Sequence, residues 1–464
     1  MSTTQTVVVD AAQSYSLTEL SRGSVIKDPE SPSEQELPGS EAVDREPATP
    51  FIKLIVAGYS FFCAGVSDGT LGPLIPYILS TFHIGTGEIA IIYATTFAGW
   101  LLAAITNPIL TAQMTLGQLL FLGAILQLIA QALRPWSPLA VFIVSFLFQS
   151  LGMAYQDAHS NTFVSNLNNV PHRWLSFIHA CYALGTFIGP LIATAIANSP
   201  NTLAIDGWRR VYFVLIGVSV LNVAGVMIAF RDTLYSRLHA RNAPRGEKRN
   251  RLALVAMAKL LKSKTLWLLS MFYFFELGAT FTAGGWVVEF LTTVRGGKLS
   301  NVGYVPTGFY GGLLAGRLLL PEPTFRFGEQ RMILIYSILC AALQLVFWLQ
   351  PSIIGSAIAL SFIGFFSGPF FATGMSVASK LFPRESQPAA LGEHALYNTK
   401  CAFILIRTGF IFVLAQAGGA IFPSITGLIA TGAGVAVLQP IVLALFLVGG
   451  ATWWLVPRVP RRDE

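Results

Sequence analysis

Charge is scarce in this chain. Asp, Glu, Lys and Arg make up 11% of its 464 residues, against about 25% in soluble domains. Hydrophobic residues reach 53% and the mean hydropathy is +0.61. So much apolar surface with so little charge belongs in lipid, where a helical span needs ~20 apolar residues. Cysteine is equally sparse. Cys63, Cys181, Cys340 and Cys401 are scattered, which excludes a disulfide framework and any Cys-based metal spacing. The six histidines show no metal-ligand spacing either, so neither a metal nor another cofactor is expected. No GxxxxGK[ST] phosphate loop is present, which argues against ATP-driven pumping within the chain. HExxH and CxxC are missing too, and no enzyme activity is expected. There is no Asn-x-Ser/Thr sequon. The first 50 residues are too polar for a signal peptide, so the first apolar run is expected to act as the signal anchor.

The apolar runs fall near 53–80, 88–111, 117–133, 138–165, 175–197 and 208–230. After a polar stretch they resume near 266–291, 303–320, 332–349, 353–378, 410–430 and 434–456. The expected fold is therefore an all-α integral membrane protein of twelve transmembrane helices in two pseudo-symmetric six-helix halves. Residues 1–50, rich in Ser, Glu, Pro and Thr, read as a disordered cytosolic tail. The halves are 51–230 and 265–457, joined by a basic cytosolic loop at 231–264, with 458–464 as a second tail. With both termini in the cytosol, 25 of the 30 Lys and Arg lie on the cytosolic side, ten of them in the central loop. Only Arg134, Arg209, Arg210, Arg295 and Lys298 fall outside. That bias fits the positive-inside rule and explains the pI of about 9.3 without nucleic acid. The aromatics also sit in the spans rather than among the basic residues.

One segment resists this pattern. Residues 389–409 mix charges with an apolar stretch too short to span. They read as a cytosolic loop with a short interfacial helix, or as a translated intron, since Gly392-Glu393 could be encoded GGT-GAG, which contains a splice donor.

Carboxylates inside spans carry the chemistry. Asp68 lies mid-span in 54–79 and Asp157 in 138–163. A charge at that depth is costly and normally faces water, where it marks an ion or substrate path. Both are candidate proton carriers. Glu276 is a third, 13 residues before Glu289, so that the two stand ~20 Å apart along a helix. Near Asp157, Gln156 and Asn161 are candidate substrate-binding residues in the most polar patch of any span. Asp157 and Asn161 share a helix face. His179 and Tyr182 share another, and Trp286 beside two glycines offers an aromatic platform or ordinary packing. Gly185, Gly189 and Pro190 form a GxxxGP packing element.

At Asp68, Gln156 to Asn161, His179 to Pro190 and Gly308 to Arg317, the chain resembles the major facilitator superfamily, and within it the fucose-permease-like branch and its fungal relatives. The resemblance covers roughly 53–390 and 410–456. It implies alternating access between two halves, with carboxylates of the first and fourth helices, here Asp68 and Asp157, in proton coupling and sugar binding. Glu276 and Trp286 match residues of the seventh helix in that branch. It also implies a gating motif, recognisable from Gly308 through Gly312, Gly316 and Arg317 to Arg331. The matching stretch Gly99 to Gly117 has no acid and no base.

The expected function is proton-coupled secondary transport of a small organic solute by a monomer, in a lipid bilayer that is most simply the plasma membrane. The solute reads as a sugar-like import substrate or an exported secondary metabolite. A cavity with few Asn and Gln beyond the fourth span favours the less polar compound. A non-transporting sensor or scaffold on the same fold is the alternative class.

Overall fold

The computed structural model describes residues 51–165, 167, 171–200, 206–235, 262–381 and 393–459, with the backbone alone over 393–409. The tail 1–50, most of the 231–264 connector and part of 389–409 lie outside the described residues. Within them the chain is helical throughout. The long helices are α1 (Phe51–Phe82), α2 (Thr86–Gln113), α3 (Leu116–Leu133), α4 (Leu139–Ser165), α5 (Pro171–Asn198) and α6 (Val211–Ala229), followed by the single turn α7 (Arg231–Leu234). The second group is α8 (Lys264–Thr293), the turn α9 (Leu299–Val302), α10 (Val305–Leu319), the short α11 (Pro321–Phe327), α12 (Glu329–Leu349), α13 (Ile353–Ser367), α14 (Phe370–Leu381), α15 (Glu393–Ala433) and α16 (Leu438–Trp454).

Eleven stretches of the described residues are long and apolar enough to cross a membrane. The span expected at 303–320 is the exception. Its helix α10 has only 15 residues, because Pro306 opens it and Pro321 starts the next helix. The span expected at 353–378 is divided. Pro369 lacks the N–H that would continue α13, and α14 begins at Phe370. A second difference concerns the doubtful segment. The loop reading of 389–409 does not hold over 393–409, where the backbone is helical and continuous with the span beyond it. The 41-residue α15 is ~60 Å long, about twice the hydrocarbon core.

In the first group α1 packs on α5, and α4 packs on both α2 and α3, with α3 also on α6. In the second, α8 packs on α15 and α16, α10 on α13, and α12 on α13 and α16. The groups meet where α5 touches α10, α2 touches α15 and α1 touches α8.

Glycine seams allow the closest of these approaches. A Cβ added at Gly69 would stand 2.7 Å from the Thr186 carbonyl oxygen, and one at Gly189 would stand 2.7 Å from that of Val66. The α1–α5 pair is thus held backbone to backbone from both sides. Gly123 and Gly152 do the same for α3 and α4.

Arginines close helix ends. Arg209 donates to the carbonyls of Pro135 and Ser137, just beyond α3, at 3.3 and 3.0 Å. Arg210 reaches the carbonyls of Ser199 and Pro200 after α5 at 2.9 and 3.1 Å. Arg295 reaches those of Phe347 and Trp348 at the end of α12. Cations at helix C-termini satisfy orphan carbonyls and the helix dipole together.

Candidate functional site

A cavity lies between the two groups, with an atom-free volume of about 720 Å³ that includes its open mouth. Ser67 and Asp68 of α1, Tyr93 and Trp100 of α2 and Gln149 of α4 line one wall, and Phe281, Tyr310 and Gln416 line the other. Among the described residues Asp68 is the only charged one in the lining. Its carboxylate accepts a 2.8 Å hydrogen bond from the Tyr182 hydroxyl of α5. The α1–α5 glycine seam makes this reach possible, because it brings the two backbones together around Asp68. The run Gly65-Val66-Ser67-Asp68-Gly69 spells the hydrolase G-x-S-x-G pattern. It lies in mid-helix, not at the strand-to-helix turn that exposes such a serine.

Asp157 is buried in α4 and makes no hydrogen bond or ion pair among the described residues. It does not line the cavity. Its neighbours point elsewhere. Tyr155 and His159 face α2, 2.6 Å from the Thr106 hydroxyl and 2.8 Å from Asn107 Oδ1. Asn161 is half-buried, one turn further on and away from the cavity wall. Gln156 turns toward α3 and α6, where its side-chain oxygen accepts from Gln127 at 2.7 Å and from Asn222 at 3.0 Å.

Those bonds belong to a buried chain that sequence reasoning missed. Arg134 Nη1 donates to Gln131 Oε1 at 3.0 Å. Gln131 Nε2 donates to Gln149 Oε1 at 2.8 Å and to Ser67 Oγ at 3.0 Å. Gln149 donates to Gln127 at 3.3 Å, and Gln127 donates to Gln156. Gln156 ends the chain on the Leu120 carbonyl at 3.1 Å. Ser60 joins through Asn222 at 2.8 Å. A signal was present. Gln127 and Gln131 are four apart and Gln149 and Gln156 seven apart, so each pair shares one face of an otherwise apolar helix. Arg134, at the end of α3, is 1% exposed, folded under the Phe146 ring with 3.9 Å from guanidinium to centroid.

In the second group, Glu276 is buried and accepts from the Thr280 hydroxyl at 3.3 Å, while its Oε2 has no partner. Trp286 is fully buried, closed off from both cavity and surface. Its Nε1 donates to the Pro423 carbonyl at 3.1 Å, and its neighbour Gly285 lines the cavity instead. His179 sits between Phe61, which it meets edge-on, and Phe371, against which it is tilted, each 5.2 Å away by ring centroid. Its backbone carbonyl accepts from Arg317 at 3.3 Å, a bond between the groups. Gly308, Gly312 and Gly316 seat α10 on Ser361 and Phe365 of α13. Among the described residues no three His, Cys, Asp or Glu side chains are placed to hold a metal.

The sequence pattern described as Major Facilitator Superfamily matches residues 58–399. The chain belongs to that superfamily. It is a multi-pass membrane protein and a secondary active transporter, which moves small solutes by alternating access. Members of the superfamily are typically not catalysts. The transporter is 22% identical over 446 residues to the Saccharomyces cerevisiae "Bypass of stop codon protein 6", covering 89% of this chain and 84% of that one. It is 23% identical over 338 residues to the human "Sodium-dependent glucose transporter 1", covering 65% of this chain and 64% of that one. Its fold matches the E. coli fucose:proton symporter with a TM-score of 0.59 and 16% identity, over 88% of this chain and 99% of the symporter. A nucleoside transporter matches with a TM-score of 0.63 and 14% identity, over 88% of this chain and all of the other.

Proposed function

We propose that this transporter couples movement of a small, largely uncharged solute to protons, with Asp68 as the group that takes and releases the proton. The observation that carries the reading is the position of Asp68. Among the described residues it is the one charged group on a cavity between two helix groups, held by Tyr182 from the helix that also contacts the opposite group. A carboxylate there can meet solute and water together, and its charge state changes the cost of closing the cavity around it. Asp157 acts with it as a second carboxylate of the same group, and Glu276 stands in the other group. Tyr182 contributes by holding Asp68. Gln156, Asn161, His179 and Trp286 lie outside the cavity lining.

The recurring helix pairings support twelve spans in two six-helix halves, with α9 and α10 together forming the eighth. Both termini are then cytosolic, and the plasma membrane is the simplest site for the transporter. The fold shared with the fucose:proton symporter supports the fucose-permease-like branch and a hydroxylated, sugar-like cargo. A second reading, export of a less polar metabolite, is favoured by the aromatic and thioether lining from Trp100, Phe146, Met153 and Phe281.

Mass-spectrometric profiling of cells and medium, with and without the gene, separates the two. Cargo left unconsumed in the medium of the deletion strain means import. Cargo trapped inside means export. With the cargo named, Asp68→Asn should abolish accumulation against a gradient while sparing exchange. Accumulation driven by a pH gradient in that variant defeats the assignment.

A further inference from the structure

Arg134 occupies an expensive place. A buried guanidinium needs partners for all its N–H groups and is usually matched by an acid. Here Nε donates to Ser145 at 2.9 Å and Nη1 to Gln131, but among the described residues Nη2 has no partner and no carboxylate bonds the group. What Arg134 does have is a direct line to the cavity wall. Both acceptors of Gln131 Nε2, Ser67 and Gln149, line the cavity, and Ser67 immediately precedes Asp68.

The line has a fixed sense. Arginine can only donate, so the Gln131 oxygen must face it and the Gln131 amide nitrogen must face Ser67 and Gln149. That turns the Gln149 oxygen inward, and every later amide follows, down to the Leu120 carbonyl, which can only accept. Amide orientation, normally ambiguous by 180°, is set here from both ends. The Ser67 hydroxyl, on the turn that carries Asp68, accepts from Gln131.

We propose that Arg134 is the positioning residue of this site: through Gln131 it orients Ser67 and the Gln149 carboxamide on the cavity wall, and it supplies the cation that balances Asp68. Of the charged and titratable groups around Asp68, Tyr182 of α5, Asp157 of α4, Tyr93 of α2 and Tyr310 of α10 are neutral or acidic. Arg134 of α3 is the cation whose charge acts on it. The inference rests on the proton-carrier reading of Asp68 and adds to it the residue that governs when Asp68 is charged.

A test without cargo is available. Dicyclohexylcarbodiimide adds to neutral carboxyl groups in apolar sites, and peptide mass spectrometry reads each carboxylate separately. The full-length protein in lipid nanodiscs is treated at neutral pH. Asp68 should be modified about tenfold faster in Arg134→Met than in the unaltered protein. Arg134→Lys, which keeps the charge, should restore most of the slow rate. Glu276 and Glu289, read in the same digests, should not change. Equal Asp68 rates in the Met variant and the unaltered protein overturn the inference, and so does faster modification of all three carboxylates, which means general loosening. If Asp68 is never modified from mildly acid to mildly alkaline buffer, the proton-carrier reading itself fails and takes this inference with it.

Discussion

The two helix groups pack alike and differ in what they bury. Both are drawn together by glycines set against a neighbour's carbonyls, Gly65, Gly69, Gly185 and Gly189 in the first, Gly312, Gly316 and Gly364 in the second. In the first group the space so closed holds Arg134, Asp157, Asn222 and four glutamines. In the second it holds aromatic contacts, such as Phe272 against Trp453 at 4.6 Å and Tyr273 against Phe371 at 5.5 Å, with Gln344–Gln439 as the one carboxamide pair between helices there among the described residues. The seams make the fold, while the first group adds a polar chain that reaches the cavity at Ser67 and Gln149. The other group supplies mostly wall.

The largest effects should come from the seams, and should be equal in both groups. Gly65→Val puts a branched side chain into the Tyr182 backbone, and Gly312→Val puts one into that of Ser361. Neither carbonyl can retreat without parting two helices, so both variants should lose the monodisperse peak in size-exclusion chromatography. Gly217→Val, with nothing within 4 Å of the added carbon, should keep it. A Gly65 variant that folds normally breaks the claim that the groups share one packing rule.

The carboxamides should separate the groups. Gln131→Leu strands Arg134, Gln149 and Ser67 at once, at about 1–3 kcal/mol for each buried group left unmatched, and should lower the thermal midpoint by many degrees. Gln344→Leu breaks a single 2.7 Å bond, and the Gln439 Nε2 is already without a partner. Its midpoint should fall less, and Gln344→Leu with Gln439→Leu should come close to neutral, since replacing both partners removes the unmet demand. Equal losses for the single variants would mean that the first group's chain is no more than separate bonds.

The smallest effect lies at the edge of the first group. Lys53 of α1 pairs with Asp232 of α7 at 2.5 Å, and its ammonium holds the Asp232 carboxyl below the usual carboxylate range. A depressed carboxyl stabilises the fold above its unfolded value near 4 and loses that contribution as pH falls through the folded value. The Asp232 side chain is 56% exposed, so solvent screening reduces the effect to a fraction of a kcal/mol. Lys53→Met should therefore lower the thermal midpoint slightly at neutral pH and leave it unchanged in strong acid.

Much of the fold was legible because long apolar runs bounded by charge have few other meanings. The exceptions trace to backbone chemistry. Prolines at 306 and 321 shortened α10, and Pro369 divided the tenth run. The mixed composition of 393–409 hid a helix, because hydropathy reports lipid contact rather than helicity. The cavity was legible at Asp68, whose charge had no apolar explanation. Gln131, Gln149 and Gln416 were not, because an amide in an apolar run looks the same whether it faces a neighbour or a cavity. The burial of Arg134 was not legible for a related reason. A cation at the end of a span is normally solvated, and only the structure shows it bent back under Phe146.

The most direct test of the account is proton movement driven by the cargo that metabolite profiling identifies. Proteoliposomes carrying a trapped pH-sensitive dye receive that cargo outside. The account predicts a change of internal pH with the unaltered protein and none with Asp68→Asn, although the variant still exchanges labelled cargo. Proton movement that persists with cargo in Asp68→Asn would contradict it, and the coupling group would have to be sought at Asp157 or Glu276.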